Sequence, residues 1–288
     1  MSKNVIAVIP AFNEEKNIAK VIAETLLFCQ RIIVVNDFST DQTLKVLKDI
    51  NDEKVTIINN KKNLGIGGSM KVGFTKALEY MPEIIIKIDG DGQHNPKDIP
   101  KFIKKLLDED LELVKGNRFF DLESLENMPK IKVFGNLITT NLQKIVSGNY
   151  KISDPNNGFL AIKASKLKLI NFKYLHNSYF FENSLTIVFN ALNFKIGEIS
   201  IKTVYKDEKS SIPLFLAAIK LLPVFAFFLF RKNLITAKHH LSANSILFFS
   251  IFILLFLNIF LNANFLWVVL VIMILFYIFI DVLNFLSK

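Results

Sequence analysis

Five times between residues 5 and 117, a short apolar run stops at a polar or turn-forming residue, with helically spaced stretches between the runs. Val5 to Ile9 closes on Pro10, Arg31 to Val35 on Asn36-Asp37, and Val55 to Ile58 leads to Asn63. Ile84 to Ile86 leads to Asp89, and Leu111 to Lys115 to Gly116. Runs this short and continuously apolar read as strands buried on both faces. Strands alternating with helices imply βαβ units with right-handed crossovers, hence a mainly parallel α/β sheet. Ligands of such sheets bind beyond the carboxyl ends of the strands. The polar residues that close the runs are therefore expected to converge on one crevice.

The most informative of these ends is Lys87-Ile88-Asp89-Gly90-Asp91-Gly92-Gln93-His94. Asp89 and Asp91 are two residues apart, so an extended chain points both carboxylates the same way, and Gly90 and Gly92 allow a sharp turn. With the amide oxygen of Gln93 they form an oxygen-only donor set suited to Mg²⁺ or Mn²⁺. A polar turn without a ligand is the plain alternative. A calcium loop of EF-hand type fails, because His94 stands where Gly is needed and Pro100 where a bidentate Glu is needed. A glycosidase pair would face across a sugar, roughly 5 Å or more apart; neighbours on one strand end more naturally share a cation.

Asn13 is placed to cap a helix whose first turn carries Glu14 and Glu15. Gly65 to Gly68 follows the third strand rather than the first and reads G-x-G-G, which does not fit a dinucleotide fingerprint. Gly116-Asn117-Arg118 at a strand end would present a fixed cation to a phosphate, or else a plain surface arginine. Asp154-Pro155 opens a turn into the strand Phe159 to Ile162, Phe181-Glu182 opens a helix, and Ile196 to Val204 reads as the last strand.

After Ser211 the composition changes. Pro213 to Phe230 is apolar but interrupted by Lys220 and Pro223, which suits a helix lying in a membrane interface. Arg231 to His240 is basic. Leu241 to Leu286 is almost continuously apolar, broken at Asn262-Ala263-Asn264. About 20 apolar residues cross a bilayer, so this stretch is expected to form two membrane helices. The expected organisation is a catalytic domain at 1–211, an interfacial helix and basic linker at 212–240, and a transmembrane hairpin at 241–288. Arg231, Lys232 and Lys238 before the hairpin place the catalytic domain on the cytoplasmic face by the positive-inside rule. The net charge of +9 rests on dispersed and juxtamembrane residues, so no nucleic-acid partner is expected. A single cysteine, Cys29, excludes an internal disulfide.

Six segments in order resemble the inverting family-two glycosyltransferases of GT-A fold, in particular the polyprenyl-phosphate sugar transferases typified by dolichyl-phosphate mannose synthase. They are Ile9 to Glu15, Val35 to Asp41, Asn63 to Gly68, Asp89 to Gln93, Gly116 to Arg118 and Asp154 to Phe159. The resemblance covers roughly residues 4 to 211. It implies a GT-A catalytic domain taking a nucleoside diphosphate sugar of GDP-mannose or UDP-glucose type. Pro10, Ala11, Asn13, Glu14, Asp37, Asn63 and Gly67 would bind the nucleotide. Asp89, Asp91 and Gln93 would hold the metal, and Asp89, Asp91 and Arg118 would be catalytic. Arg118 with Lys130, Lys132 or Lys209 would bind the phosphate of a polyprenyl lipid, and Asp154 and Glu182 would contact sugar or acceptor. Asn36 departs from the pattern where a first Asp is usual, Ser184 where many relatives carry a second acid, and Lys209-Ser210-Ser211 from the commoner S-K ending. The implied alternatives are a hydroxyl acceptor, with Asp154 or Glu182 as base, and a non-catalytic nucleotide-sugar adaptor in the membrane.

Overall fold

The computed structural model describes residues 4–120, 130–202, 214–239, 245–251, 253–254, 271–278 and 280. The apolar runs form the strands β1 (Val5–Ala11), β2 (Arg31–Asn36), β3 (Val55–Asn59), β4 (Ile84–Lys87), β5 (Leu113–Asn117), β6 (Leu160–Lys163) and β7 (Ile196–Ser200). They make one seven-stranded sheet in the order β3-β2-β1-β4-β6-β5-β7. β6 runs antiparallel to both β4 and β5, and the other pairings are parallel. The sheet is thus mainly parallel as expected, with one reversal whose consequence is local. Lys87 on β4 and Lys115 on β5 both pair with Leu160 at the start of β6, which brings the entry to β6 to the edge where β4 ends.

Two apolar layers cover the sheet. On one face Ile6, Val8, Ile33, Val35, Ile85 and Leu113 pack against helices α3 (Gly65–Glu79) and α7 (Phe181–Ala191). On the other Ala7, Ile9, Ile32, Val34, Ile84 and Ile86 pack against α1 (Ile18–Leu26), α2 (Thr43–Lys48) and α4 (Ile99–Asp108). Successive strand residues alternate between the layers, as the two-residue period requires. Shorter α6 (Ala164–Leu167) follows β6, and α5 (Lys130–Ser147) lies beside α7.

Helix α8 spans Leu214–His239 without a break. The expected basic linker from Arg231 is therefore helical, and Pro223 sits inside the helix rather than ending it. Phe225 and Phe228 bury themselves against Phe180, Val146 and Ile187, and the Arg231 guanidinium donates to the carbonyls of Lys173 and Tyr174 at 3.1 and 3.0 Å. Phe227, Phe230 and Leu234 stay exposed. Among the described residues no helix is long and apolar enough to cross a membrane. Most of the expected hairpin at 241–288, including its turn at 262–264, lies outside the described residues, as does Lys209.

Other boundaries differ for visible reasons. Asn13 does not cap a helix: its backbone is left-handed (φ 58°), its side chain accepts from the Thr40 amide at 2.8 Å, and α1 starts five residues later. β5 begins at Leu113, so Gly116 lies inside the strand, paired with Ile199. β7 ends at Ser200 rather than continuing to Val204.

Candidate active site

The C-terminal ends of β1, β2 and β4 and the N-terminus of α3 enclose a pocket of about 330 Å³, a volume in the range of small-molecule sites. Pro10, Ala11, Glu14, Asp37, Asn63, Asp89 and Asp91, all anticipated from sequence, line it. Phe12, Gly65, Ile66, Ser69 and Gly90 complete the wall.

Each polar wall residue is oriented by a neighbouring element. Asp37 Oδ1 accepts from Asn60 Nδ2 and from the Leu64 amide, both at 2.8 Å. Asn60 also donates to Ser69 Oγ at 3.0 Å, so β2, β3 and α3 are tied together at the pocket. The Asn63 side chain accepts from the Gly65 amide at 3.0 Å, and the Glu14 amide donates to Thr43 Oγ1 at 2.7 Å. Asn36 points away from the pocket. It donates to Asn59 Oδ1 at 2.6 Å and accepts from Ser39 Oγ at 2.5 Å.

Two anticipated nucleotide residues stand elsewhere. Asn13 is exposed and joins the turn at Ser39-Thr40. Gly67 is a packing glycine: a Cβ there would lie 2.2 Å from the His176 carbonyl oxygen. Its bareness lets the segment at His176-Asn177 close on α3, where the Gly68 amide donates to the Asn177 carbonyl at 2.9 Å.

The two aspartates after β4 differ sharply. Asp91 accepts from the Gln93 amide at 2.9 Å. Burial, reinforced by the nearby charges of Asp89 and Glu14, pushes its carboxyl up to about 6. The Gln93 side chain does not line the pocket. Asp89 Oδ1 instead meets the Lys87 ammonium at 2.7 Å. Burial works against the Asp89 charge, but Lys87 overcomes it and holds the carboxyl below its usual range. His94 lies against Phe159, ring centroids 5.3 Å apart, and burial pushes it down to about 4, so it is neutral.

Beyond the pocket, charges are matched with one another. Lys87 also meets Glu182 Oε1 at 2.9 Å and donates to the Gly158 carbonyl at 3.0 Å. Lys115 is fully buried and donates to the Asn157 carbonyl at 2.9 Å; burial lowers its ammonium to about 8. Arg118 is no plain surface arginine, since it grips Asp154 with Nε and Nη2, each at 2.7 Å. Asp154 is fully buried, so its side chain serves this pair rather than the turn at Pro155. Glu198 accepts from the amides of Ser153 and Asp154 and from Asn117 Nδ2. The side chains of Lys130 and Lys132 lie outside the described residues.

A family model described as glycosyl transferase family 2 matches residues 6–170. The chain belongs to that family. It is 32% identical over 220 residues to a UDP-N-acetylglucosamine–dolichyl-phosphate N-acetylglucosaminyltransferase of Methanococcus voltae, covering 71% of this chain and 87% of the relative. It is 24% identical to an undecaprenyl-phosphate mannosyltransferase of Micrococcus luteus, covering 70% and 84%. Among solved structures, mannosyl-3-phosphoglycerate synthase from Rubrobacter xylanophilus superposes with a TM-score of 0.60 at 13% identity, covering 84% and 77%; that likeness concerns the fold alone.

Lys87, Lys115, Gly158 and Glu198 were not anticipated. Lys87 carried a signal: a charged residue ending a run of isoleucines on a central strand must find a buried partner.

Proposed function

We propose that the chain transfers a hexose from a nucleoside diphosphate sugar to a polyprenyl phosphate, with inversion at the anomeric carbon. The observation that carries the acceptor assignment is the fate of the carboxylates outside the donor pocket. Asp154 is spent on Arg118, Glu182 on Lys87, and Glu198 on two amides and Asn117. A hydroxyl acceptor must lose its proton as it attacks and needs a positioned base. A phosphate is already an anion and needs cations instead. Relatives whose names specify dolichyl and undecaprenyl phosphate support the same reading.

In this reading the pocket takes the nucleoside diphosphate, with Asp37 and Asn63 held in place for the nucleoside end. Arg118, its plane fixed by Asp154, stands beyond the pocket to steady the incoming lipid phosphate. One acceptor oxygen forms the new bond to the anomeric carbon as the bond to the diphosphate oxygen breaks on the opposite face.

The donor set fits Mg²⁺ or Mn²⁺. Asp91 and Asp89 offer oxygens at the pocket wall, and burial, with the charges of Asp89 and Glu14 added, raises the Asp91 carboxyl. Among the described residues no group of three or more His, Cys, Asp or Glu gathers as a metal site. Mg²⁺ characteristically uses one or two carboxylates and completes its shell with substrate phosphates and water. When bound, such an ion would supply positive charge to the departing diphosphate.

We also assign residues 241–288 to a membrane hairpin with residues 1–211 as the catalytic domain in the cytoplasm. The apolar composition and the exposed Phe227, Phe230 and Leu234 of α8 support this. Cys29 is buried, so a Cys introduced at Asn262 can be labelled selectively; labelling from outside the cell is expected, and labelling only from inside would reverse the topology.

The reaction is tested by screening labelled nucleotide sugars against polyprenyl phosphate and diacylglycerol. The expected product is a glycosyl phosphate cleaved by mild acid, formed only with the phosphate lipid. An acid-stable glycolipid, or transfer to diacylglycerol, would move the assignment to a hydroxyl acceptor.

A further inference from the structure

The end of β4 carries a charge arrangement that a shared two-aspartate metal site does not require. Lys87 is fully buried, and three oxygens lie within 3.0 Å of its ammonium: Asp89 Oδ1, Glu182 Oε1 and the Gly158 carbonyl. Two of them, Asp89 Oδ1 and the Gly158 carbonyl, accept hydrogen bonds from it, and Glu182 Oε1 adds an ionic contact. The socket is also closed sterically. A Cβ on Gly158 would lie 2.2 Å from Asp89 Oδ2 and 2.7 Å from Lys87 Nζ, so a bare glycine at the entry to β6 is what lets the chain close over the pair. Three segments distant in sequence thus converge on one ammonium.

We propose that Lys87 is a built-in counter-ion that commits Asp89 to the protein, leaving Asp91 and the donor's phosphates to hold the divalent cation, and that Lys87 thereby sets how weakly that cation binds. This rests on the metal reading above and goes beyond it by separating the two aspartates. A cation approaching Asp89 meets an ammonium already 2.7 Å from its carboxylate. Like charges at such range repel strongly where water is excluded. Lys87 is therefore a positioning residue, acting on the reaction through Asp89. The arrangement has a functional use: a cation held loosely leaves readily with the nucleoside diphosphate.

The test is Mn²⁺ binding followed by electron paramagnetic resonance, without nucleotide and with saturating UDP or GDP. Lys87→Met keeps the length of the side chain and removes its charge. It is expected to tighten Mn²⁺ binding about tenfold or more, because Asp89 becomes a second ligand. Structural damage alone would weaken binding, so the direction is diagnostic. Lys87→Met combined with Asp89→Asn removes one charge of each sign, leaving the net charge around Asp91 unchanged, and should leave Mn²⁺ affinity within about threefold of wild type. Asp91→Asn should lower it by about thirtyfold or more. Circular dichroism confirms folding, and the double variant carries the test if the single variant fails to fold. If the double variant loses Mn²⁺ as completely as Asp91→Asn, or folded Lys87→Met binds more weakly than wild type, the Lys87 assignment is overturned while the metal reading stands. If the wild-type protein takes up no Mn²⁺ with either nucleotide, both are overturned.

Discussion

The two halves of the sheet edge handle charge in opposite ways. On the β1–β4 side, Asp37 and Asp91 are oriented by backbone amides and a side-chain amide and line a pocket. Where β4 meets β6, and beyond it at β5, ionised side chains close on one another: Lys87 on Asp89 and Glu182, and Arg118 on Asp154. Hydrogen bonds from amides orient a carboxylate without cancelling its charge, so the first half keeps a field for a ligand to answer. Ion pairs cancel charge internally, so the second half gains rigidity instead. A buried pair adds little stability over an apolar equivalent, but breaking one member is costly. The division suits a donor whose diphosphate arrives with a divalent cation and an acceptor phosphate met by an arginine held in one plane.

The largest effect that would break this contrast is on turnover. Asp91→Asn preserves shape and removes charge from the donor pocket, and transfer is expected to fall by about 10³-fold. Turnover near wild type, measured with labelled donor, would mean the pocket's charge is not used.

The second half should answer in stability before chemistry. Arg118→Ala leaves the fully buried Asp154 carboxylate without its bidentate partner, at a cost of about 3–5 kcal/mol in denaturant unfolding. Arg118→Ala with Asp154→Asn should recover part of that loss. An Arg118→Ala protein of unchanged stability would show that the pair does not brace this half.

A smaller effect is expected at the seam. In Gly158→Ala the added Cβ meets Asp89 and Lys87, both held from other sides, and overpacking of this kind costs about 3 kcal/mol at most. Turnover should fall further than stability, because the displaced group is Asp89. Equal losses would make the glycine a packing residue only.

The contrast also marks what the sequence disclosed. Pro10 lies at the end of β1, Asp37 and Asn63 follow β2 and β3, and Asp89 and Asp91 follow β4; these parallel strands carry their ends to one edge, so local pattern suffices. Lys87 is different. Its partner Gly158, 71 residues away, arrives because β6 runs antiparallel beside β4, and Glu182 comes from α7; neither contact leaves a periodic trace. Asp154 was noticed for its turn, but its partner Arg118 depends on the same reversal. Asn13 misled for a related reason: a good capping residue was drawn into the β2–α2 turn by the Thr40 amide, and tertiary contact overrode local propensity.

The most direct test of the contrast is the pH dependence of apo-protein stability with and without the Asp91 charge. The folded-state carboxyl of Asp91 is raised from 3.8 to about 6. The folded protein therefore keeps a proton that the unfolded chain releases, and stability from this group is present below about pH 4 and lost as pH rises through about 6. At pH 7 in EDTA, Asp91→Asn should be more stable than wild type by about 2 kcal/mol, a figure reduced for the group's partial exposure. The gap should close by about pH 4, where wild-type Asp91 is protonated. An Asp91→Asn protein less stable than wild type at pH 7 would mean that the Asp91 charge is already answered within the fold, as that of Asp89 is, and would contradict the division between the two halves.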